Sequence, residues 1–504
     1  MKIAYFLDIP KGLGGAGNVL LEQAKLMSAL YEALVIIPCN ADGEINPEYE
    51  RRCKKAHIRY RGMAYSTAYM IQNIDLLNSW KAMKSIQKMA IEEKVDFFHS
   101  VQLNIGAELA ARELGIPHLM NVYQLRKEEF VLKYMDIFPR YHSCDSRMYC
   151  DVWEKYLGAE TCCIRPSAIL PYIEKKRKSR TGLKILMLGG FAKRKNQMTA
   201  IKAVEKCNYD GFKIELTIAG DVNSQYGQKC KDYIKERKLN ELIHIVGFQT
   251  DIIPLLRSND CYLCASTEES FPSSIVEAMT YDLTILSTPV AGVPELLKDE
   301  VNAYLSSGYE AKDIADCIRR CFYAYQDGSI KAIHKQAEAL WNENFSVPVV
   351  TRQLDEYYHH ILSDFTKCPK RRFEDKISGS TVKQVYMRLT HVGIEDEYIL
   401  SKCCYYACLG EILKCGKAYI WGAGKYGKYA KQLLEAVLQG IEIIAYIDRI
   451  KTGNYLGIPI IHPEQAELQK ADYIFIAFEQ GKEQAIADLE EKGFGYNRDI
   501  WLLP

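Results

Sequence analysis

The sequence predicts an α/β fold made of three Rossmann-like units with parallel, doubly wound sheets. Short apolar runs alternate with helical stretches along the chain, and this order is typical of parallel sheets. Each unit begins with such a run, at Ile3–Leu7, Leu183–Gly190 and Ala418–Trp421. Polar, basic segments at 175–180 and 366–380 separate the units, so we place the domain boundaries there.

The length and composition fit a globular protein of several domains. Its 504 residues suffice for roughly three domains of about 150 residues each. The net charge of +1 gives no overall field that would favour nucleic acid. The 17 cysteines are odd in number and irregular in spacing, so we expect reduced thiols in a cytoplasmic protein. The chain enters a strand at its first residues and holds no long apolar run, so we expect neither a secretory signal nor a membrane span.

The first unit covers residues 1–168. Its predicted strands and helices alternate, with strands at Ile3–Leu7, Leu34–Pro38, Phe97–His99 and His118–Val122, and helices at Asn18–Tyr31 and Ala107–Leu114. The second unit covers 182–348, with strands at Leu183–Gly190, Ile214–Gly220, Ile243–Gly247, Cys261–Ala265 and Thr284–Ser287. A helix at 349–365 closes the second unit.

The third part of the chain is smaller. Residues 366–414 are predicted to form a linker and a helical segment, and residues 415–504 a Rossmann-like module. The strands of this module are expected at Ala418–Trp421, Ile443–Ile447 and Tyr473–Ala477.

Two acids in an E-x7-E pattern are the strongest chemical signal. Glu269 follows the apolar run Cys261–Ala265, and Glu277 falls about one turn into the helix that begins near Ser273 and Ser274. The backbone N–H groups at that helix start form an anion site with a carboxylate on either side. A sugar nucleotide needs this combination, because its diphosphate binds amides and its hydroxyls bind acids.

Two loops are weaker signals when taken alone. Lys193-Arg194-Lys195 follows a predicted strand, where cations can offset the charge that builds on a departing diphosphate. The alternative is a solvated run of charge. Gly12–Gly17 follows the first strand, where glycines let the backbone approach a phosphate or a sugar, and the alternative is an ordinary turn. Phe248 follows a strand that ends in glycine, where backbone can approach a base or ribose.

Taken together, residues 1–365 resemble the GT-B glycosyltransferases of family 4, which use nucleotide-sugar donors and retain the anomeric configuration. The resemblance is carried by Gly14-Gly15, Phe191-x3-Lys195-Asn196, Thr217-Ile-Ala-Gly-Asp221 and the Glu269/Glu277 pair, in this order. It implies two Rossmann-like domains facing across a cleft, the first for the acceptor and the second for the donor. It also implies that Glu277 holds the ribose, Glu269 the donor sugar and Lys195 the leaving diphosphate, with Gly15 packed against it.

Two positions depart from the family pattern. The family often has an arginine where this chain has Gly190, and Arg194 is the nearby residue that can supply the charge. The family often has a histidine where Gly115-Ile-Pro leads to Tyr123, and a tyrosine is a poorer base at neutral pH. His99, near the same sheet edge, is expected to be structural or on the acceptor side. No Asp-x-Asp motif occurs, so we expect transfer that needs no metal and no cofactor.

The terminal module carries a dinucleotide-type fingerprint. Gly422, Gly424 and Gly427 follow a predicted strand, and Asp448 ends the next one. The module is about half of a full dinucleotide fold. It resembles small nucleotide-binding modules attached to polysaccharide biosynthesis enzymes, so it is expected either to bind a nucleotide or NAD or to support assembly.

The leading hypothesis is a cytoplasmic glycosyltransferase acting on a growing glycan or a lipid-linked sugar in surface polysaccharide biosynthesis. The alternatives are a non-catalytic nucleotide-sugar scaffold or sensor, and a bifunctional enzyme whose module uses NAD. The basic segments 175–180 and 370–372 can contact anionic lipid at the inner face of the membrane, although we favour a solvated hinge. The sugar, the base, the acceptor and the oligomeric state stay open.

Overall fold

A computed structural model describes residues 1–10, 14–40, 42–68, 74–123, 139–157, 160–167, 171–174, 182–367, 379–478, 480–496 and 498–503. These residues form three α/β units, each built on its own sheet, and the predicted fold class is confirmed. The basic segments 175–180 and 370–372, and Gly12, lie outside the described residues. Among the described helices, none combines the length and the apolar character needed to cross a bilayer.

The first sheet has seven parallel strands in the order β3-β2-β1-β4-β5-β6-β7. Its helix α4 shows how the local sequence sets the element bounds: the Asn104 side chain accepts a hydrogen bond from the Ala107 amide at the start, and Gly115 ends the helix with a φ of 66°. The elements are β1 (Lys2–Phe6), α1 (Gly15–Met27), β2 (Glu32–Pro38), α2 (Pro47–Lys55), β3 (Arg59–Met63), α3 (Leu76–Glu93), β4 (Phe97–Val101), α4 (Ile105–Leu114), β5 (His118–Asn121), β6 (Tyr141–Cys144), α5 (Arg147–Leu157) and β7 (Glu160–Cys163).

The second sheet has six parallel strands in the order β10-β9-β8-β11-β12-β13. Its elements are β8 (Leu183–Leu188), α6 (Gln197–Tyr209), β9 (Ile214–Ala219), α7 (Gln225–Glu236), β10 (Ile243–Gly247), α8 (Ile253–Ser258), β11 (Cys261–Cys264), α9 (Ser273–Thr280), β12 (Thr284–Ser287), α10 (Val293–Leu296), β13 (Tyr304–Leu305), α11 (Ala311–Asp327) and α12 (Ile330–Asn344). The order reverses between β8 and β11, so ligands are expected at the carboxyl ends of these two strands.

The long helix α13 (Val347–Lys367) follows the second unit in the chain but packs on the first. Its buried residues Leu354, Tyr358 and Ile361 share one core with Tyr5 and Phe97 of the first sheet. The chain therefore crosses between the first two domains twice, once before β8 and once at α13.

The third sheet has six strands in the order β16-β17-β15-β14-β18-β19, parallel except for the β16–β17 pair. Its elements are β14 (Gly416–Trp421), α17 (Lys425–Val437), β15 (Ile441–Ile447), β16 (Gly453–Tyr455), β17 (Ile458–Ile461), β18 (Tyr473–Ile476), α18 (Lys482–Glu491) and β19 (Ile500–Leu502). The helical segment predicted before it is three helices, α14 (Gly379–His391), α15 (Glu397–Ser401) and α16 (Cys403–Ile412).

One apolar cluster joins the first domain to the terminal module. It contains Met120 and Trp153 of the first domain, Tyr406 of α16, and Leu434 and Phe475 of the module, all buried. Helix α15 also contacts α3 of the first domain. The helices α14–α16 thus form an apolar bridge through which the module is attached to the first domain.

Candidate functional site

The two acids of the E-x7-E pattern lie at the carboxyl end of β11. Strand β11 is buried along its length, and the chain then turns through Glu269 into α9, whose first residue is Ser273. The cap residue Pro272 provides no side-chain hydrogen bond to this helix start. The first amides of α9 are therefore available to an anion at the edge of the sheet where β8 also ends.

Glu269 is held by two cations from the loop after β8. Its Oε1 atom lies 2.5 Å from Lys195 Nζ and 2.9 Å from Arg194 Nη1. The side chains of Glu269 and Lys195 are 14% and 18% exposed, whereas that of Arg194 is 47% exposed. The structure thus brings Glu269, Lys195 and Arg194 together at one point, with the two closest groups mostly shielded from water.

The loop that carries these cations is built by close backbone packing. Lys193–Lys195 form a short 3-10 turn, and the Thr267 amide donates to the Arg194 carbonyl, with an N···O distance of 2.8 Å. This hydrogen bond joins the loop to the segment just before Glu269. Gly189 has a φ of 137°, a conformation that glycine adopts most readily, and lies beneath the Lys195 side chain.

Glu277 faces the first domain. Its partly buried carboxyl group has a pKa raised to about 7, mainly by burial, while the charges of Arg52 and Lys195 pull the pKa down and that of Glu22 pushes it up. Arg52 and Glu22 lie on α2 and α1 of the first domain. Charged groups of both domains therefore act on Glu277, and its carboxyl changes charge near neutral pH.

The serines at the start of α9 have different surroundings. The Ser274 hydroxyl accepts a hydrogen bond from the Tyr262 hydroxyl at 2.6 Å, which fixes its position beneath the helix start. Ser273 is the first helical residue and is partly buried. The backbone amides of these residues, rather than their side chains, are the groups suited to hold a diphosphate.

Gly14 and Gly15 stand at the start of α1 in the first domain. A side chain at Gly14 would collide with the Asp8 carboxylate, whereas one at Gly15 would meet nothing within 4 Å. Gly14 is thus required for close packing, and Gly15 borders open space at a helix start that no side chain caps.

Three further residues predicted for the site form no ion pair or hydrogen bond with Glu269, Lys195 or Arg194 among the described residues. Phe248 is 59% exposed beyond the end of β10. His99 is fully buried, and its ring nitrogens lie 2.7 Å from the Tyr358 hydroxyl and 2.8 Å from Asn121 Oδ1. Burial lowers the pKa of His99 to about 3, so the ring is neutral. Burial, with the charge of Asp145, raises the pKa of Tyr123 well above its usual range, so its phenol stays protonated.

The fingerprint of the terminal module has the geometry of a glycine-rich turn. Gly422 has a φ of 116°, and a side chain at Gly427 would lie 2.0 Å from the Gly422 carbonyl oxygen. A side chain at Gly424, just before α17, would meet nothing within 4 Å. Asp448 is engaged by this turn: its carboxylate accepts hydrogen bonds from the amides of Ala423, Ile450 and Lys451.

Two Rossmann-like domains with a charged cleft between them define the GT-B class of glycosyltransferases. Alr3699/HepE of Anabaena, whose crystal structure contains UDP-glucose, superposes with a TM-score of 0.58 at 19% identity, over 71% of this chain and 100% of that one. Residues 171–326 match the family model for glycosyl transferases group 1, and this segment belongs to that family. The chain is a glycosyltransferase.

Two relatives with assigned roles are similar in sequence. The Escherichia coli UDP-Gal:alpha-D-GlcNAc-diphosphoundecaprenol alpha-1,3-galactosyltransferase is 22% identical over 391 residues, which are 71% of this chain and 96% of that protein. The Staphylococcus aureus capsular polysaccharide biosynthesis glycosyltransferase CapH is 24% identical over 177 residues, 34% of this chain and 46% of that protein. The similarity to these relatives supports the glycosyltransferase assignment.

Several charged residues of the cleft were not anticipated from the sequence. Arg52 and Glu22 act on Glu277 from the first domain, and no local pattern marks them, because they lie on ordinary amphipathic helices. Asp145 and Glu295 lie between the two domains beside the Glu269 loop. The turn Gly292-Val-Pro-Glu295 was not used in the prediction, although it follows β12 at the carboxyl edge of the sheet, where open α/β sheets bind ligands.

Proposed function

We propose that this chain transfers a sugar from a nucleotide sugar to a glycan or a lipid-linked sugar, with retention of the anomeric configuration and without a metal ion. Glu277 binds the ribose hydroxyls and Glu269 the hydroxyls of the donor sugar. Lys195, Arg194 and the first amides of α9 stabilise the departing nucleoside diphosphate. Gly14 and Gly15 border the diphosphate from the acceptor domain, and Phe248 lies on the side of the base.

The proposed step exchanges one glycosidic bond for another. The bond between the anomeric carbon and the diphosphate oxygen breaks, and its electron pair leaves with the diphosphate. The acceptor oxygen bonds to the anomeric carbon on the same face, and the acceptor proton passes to the departing phosphate oxygen. Closure of the two domains excludes water from this reaction and so limits donor hydrolysis.

The observation that carries the proposal is the contact of Glu269 with Lys195 and Arg194 at the start of α9. Cations and a carboxylate meet at this point. A donor bound there would place its diphosphate beside Lys195 and Arg194 and its sugar beside Glu269. Cations and helix amides positioned before the reaction stabilise the charge that develops on the leaving group.

The relatives suggest the classes of donor and acceptor. The Escherichia coli relative is named for a UDP-galactose donor and a diphosphoundecaprenol-linked acceptor, and the HepE crystal contains UDP-glucose. We therefore propose a UDP-hexose donor and a polyprenyl diphosphate-linked acceptor, and that the enzyme meets this acceptor at the cytoplasmic face of a membrane. Flotation with vesicles of anionic and neutral lipid tests the membrane contact.

The test of the enzyme uses purified full-length protein. Nucleotide sugars are screened by thermal stabilisation, since a ligand that binds the folded state raises its stability by mass action. Transfer and donor hydrolysis are then measured for wild type, Glu269→Gln and Glu268→Gln, the last altering the exposed neighbouring acid. We expect Glu269→Gln to lower turnover about 100-fold or more, as for loss of an oriented polar group in a transition state, and Glu268→Gln to leave it nearly unchanged. Equal turnover of all three would reject the assigned site, and an inverted product anomer would reject retention.

A scaffold or sensor remains the rival function, since Gly190 replaces the arginine of the family pattern. The contact of Arg194 with Glu269 favours the enzyme, because it places a guanidinium beside the acid expected to hold the donor sugar. A scaffold binds the nucleotide sugar but neither transfers nor hydrolyses it, so the same assays separate the two.

For the terminal module we propose phosphate binding at the turn Gly422–Gly427. The open space at Gly424 and the start of α17 fit a phosphate. NAD fits less well, because Asp448, the acid expected to bind its ribose, already accepts three backbone hydrogen bonds. Fluorescence titration of the full chain with NADH and with a fluorescent nucleoside diphosphate distinguishes these ligands, and a Gly424→Glu variant is expected to lose the binding.

A further inference from the structure

A carboxylate of the donor domain caps a helix of the acceptor domain. Glu295 of α10 accepts hydrogen bonds from the backbone amides of Arg147 and Met148, both at 2.9 Å. These amides are the first two of α5, where a negative charge stabilises a helix through its unpaired N–H groups and its dipole. Helix caps usually come from the residue just before the helix, whereas this one comes from the other domain.

The cap is part of a network at the point where the chain crosses between the domains. Arg165, just after β7, forms an ion pair with Glu295 and donates through Nη1 to the Asp145 carbonyl at 2.6 Å. Its guanidinium also lies over the Phe271 ring, 5.2 Å from the ring centre. Burial raises the pKa of Glu295, but the two amides and Arg165 outweigh this effect and hold its pKa below the usual range.

The same network reaches the residue next to Glu269. The Ser270 hydroxyl hydrogen-bonds the Asp145 carboxylate and lies 3.0 Å from the Ser146 hydroxyl. All three residues are at most 5% exposed. The Ser270 carbonyl in turn accepts from the Gly292 amide at 2.9 Å. The loop that carries Glu269 is thus bonded to the end of β6 on one side and to the turn before Glu295 on the other.

The fit at this junction is close. A side chain at Gly292 would lie 2.5 Å from Ser146 Cβ and 2.8 Å from the Ser270 carbonyl oxygen. Such distances are too short for non-bonded atoms, so the Gly292 backbone packs directly against the Ser146 side chain of the first domain. Small movements at the junction therefore displace Ser270, and with it Glu269.

We infer that Glu295 is a positioning residue: by capping α5 from the donor domain, it fixes the junction that orients the Glu269 loop towards the acceptor domain. Glu295 acts through Ser270 and does not touch the reacting groups. The expected effect of Glu295 on turnover depends on the proposed glycosyl transfer. Its expected effect on the mobility of the Glu269 loop is independent of that function.

The experiment compares full-length wild type with Glu295→Ala, Glu295→Gln and Asp313→Ala. Asp313 is the matched control, because it accepts from the Glu310 amide at the start of α11 within the donor domain. Hydrogen–deuterium exchange is measured for peptides covering 145–153, 266–272 and 308–316, and kcat and donor KM are measured separately.

We expect Glu295→Ala to speed exchange about fivefold or more at 145–153 and at 266–272, as for the loss of a helix cap that stabilises local structure. Asp313→Ala should speed exchange only at 308–316. In turnover, Glu295→Ala should lower kcat about tenfold with a smaller change in donor KM, because only the Glu269 loop loosens while Glu277 and the first amides of α9 keep their places. Glu295→Gln keeps an oxygen acceptor, so its increase in exchange and its loss of kcat should both be smaller than those of Glu295→Ala.

Unchanged exchange at 266–272 in Glu295→Ala overturns the inference, since the cap would then be uncoupled from the Glu269 loop. A fall in kcat that Asp313→Ala matches also overturns it, because the effect would be general destabilisation. If Glu295→Ala does not fold, exchange at 266–272 and kcat are measured for Glu295→Gln and Arg165→Gln instead, and the same two outcomes overturn the inference. If wild type transfers no sugar, the proposed function fails, and the exchange data alone decide the role of Glu295.

Discussion

Lys195 Nζ lies 2.5 Å from Glu269 Oε1, so a cation from one βα loop of the second domain neutralises the acid of another. Both side chains are mostly shielded from water. Ion pairs in such surroundings interact more strongly than exposed ones, and the loss of one partner leaves the other charge uncompensated. The pair therefore holds two loops in register in addition to the roles proposed for each residue in transfer.

The two cations beside Glu269 should contribute unequally. We expect Lys195→Ala to lower kcat about 100-fold or more, because a shielded charge acts on the leaving group with little screening. Arg194→Ala should cost less, since its side chain is 47% exposed. Steady-state kinetics with the donor found by screening measure both, and the exposed Lys193→Ala is the control. Equal losses for Lys195→Ala and Lys193→Ala would contradict the prediction.

Donor affinity should depend on pH through Glu277. Its pKa of about 7 means that the carboxylate, which accepts hydrogen bonds from hydroxyls, gives way to the neutral acid as the pH falls. We expect the Kd of a nucleotide sugar to rise about tenfold per pH unit below pH 7 and to level off above it. Calorimetric titration from pH 5.5 to 8.5 measures this. The profile of Glu277→Gln should be flat, and a slope as steep as that of wild type would assign the pH dependence to another group.

Gly220 is predicted to tolerate no side chain. A Cβ atom there would lie 2.0 Å from the Gly189 carbonyl oxygen, within the backbone that supports Lys195. We expect Gly220→Ala to lower the free energy of unfolding by about 1–3 kcal/mol, as overpacking does. Gly15→Ala, where a Cβ meets nothing within 4 Å, is the control for stability. Equal stability of the two variants in denaturant unfolding would contradict the prediction, because the Gly189 backbone would then move aside at no measurable cost in free energy.

Acid should destabilise the first domain through His142. Its ring is fully buried against Trp153, neither ring nitrogen has a partner among the described residues, and burial lowers its pKa to about 3. Its stabilising contribution is present above pH 6.5 and is lost as the pH falls towards 3, because unfolding lets the ring take up a proton. Relative to wild type, His142→Leu should gain about 1.4 kcal/mol per pH unit between pH 6.5 and 4.

Thermal and denaturant unfolding at several pH values measure this difference. The control is His244→Leu, whose histidine is exposed on β10. A stability difference between His142→Leu and wild type that stays constant with pH would mean that His142 takes up its proton as readily in the folded protein as in the unfolded one.

Much of the fold follows from local sequence. Strands β10 and β12 coincide with the predicted runs, because turn residues bound both of them; β12 is buried along its length, whereas β10 alternates between partly buried and exposed residues after Ile243. The division of residues 381–414 into three helices was not predicted. That segment is apolar on several sides because it packs between two domains, so its periodicity does not mark where one helix ends.

The site divides in the same way. The positions of Glu269, Glu277 and Lys195 could be predicted, because each stands near a strand end or a helix start that local patterns reveal, and their roles stay predictions. Arg52, Asp145 and Glu295 could not, since their importance depends on how the two domains face each other. Long-range packing decides that arrangement, and no single stretch of sequence records it.

The apolar bridge of helices α14–α16 joins the first domain and the terminal module into one larger body, which leaves the second domain as a smaller one. The first domain, α13, the bridge and the terminal module are joined by shared apolar cores, so we expect them to move as one body relative to the second domain. A chimaera designed to change acceptor preference would therefore have to transplant the C-terminal residues from 379 onward together with the N-terminal domain. Exchanging the N-terminal domain alone would remove Met120 and Trp153 from the shared cluster and would expose its remaining apolar residues, such as Tyr406 and Leu434, to solvent.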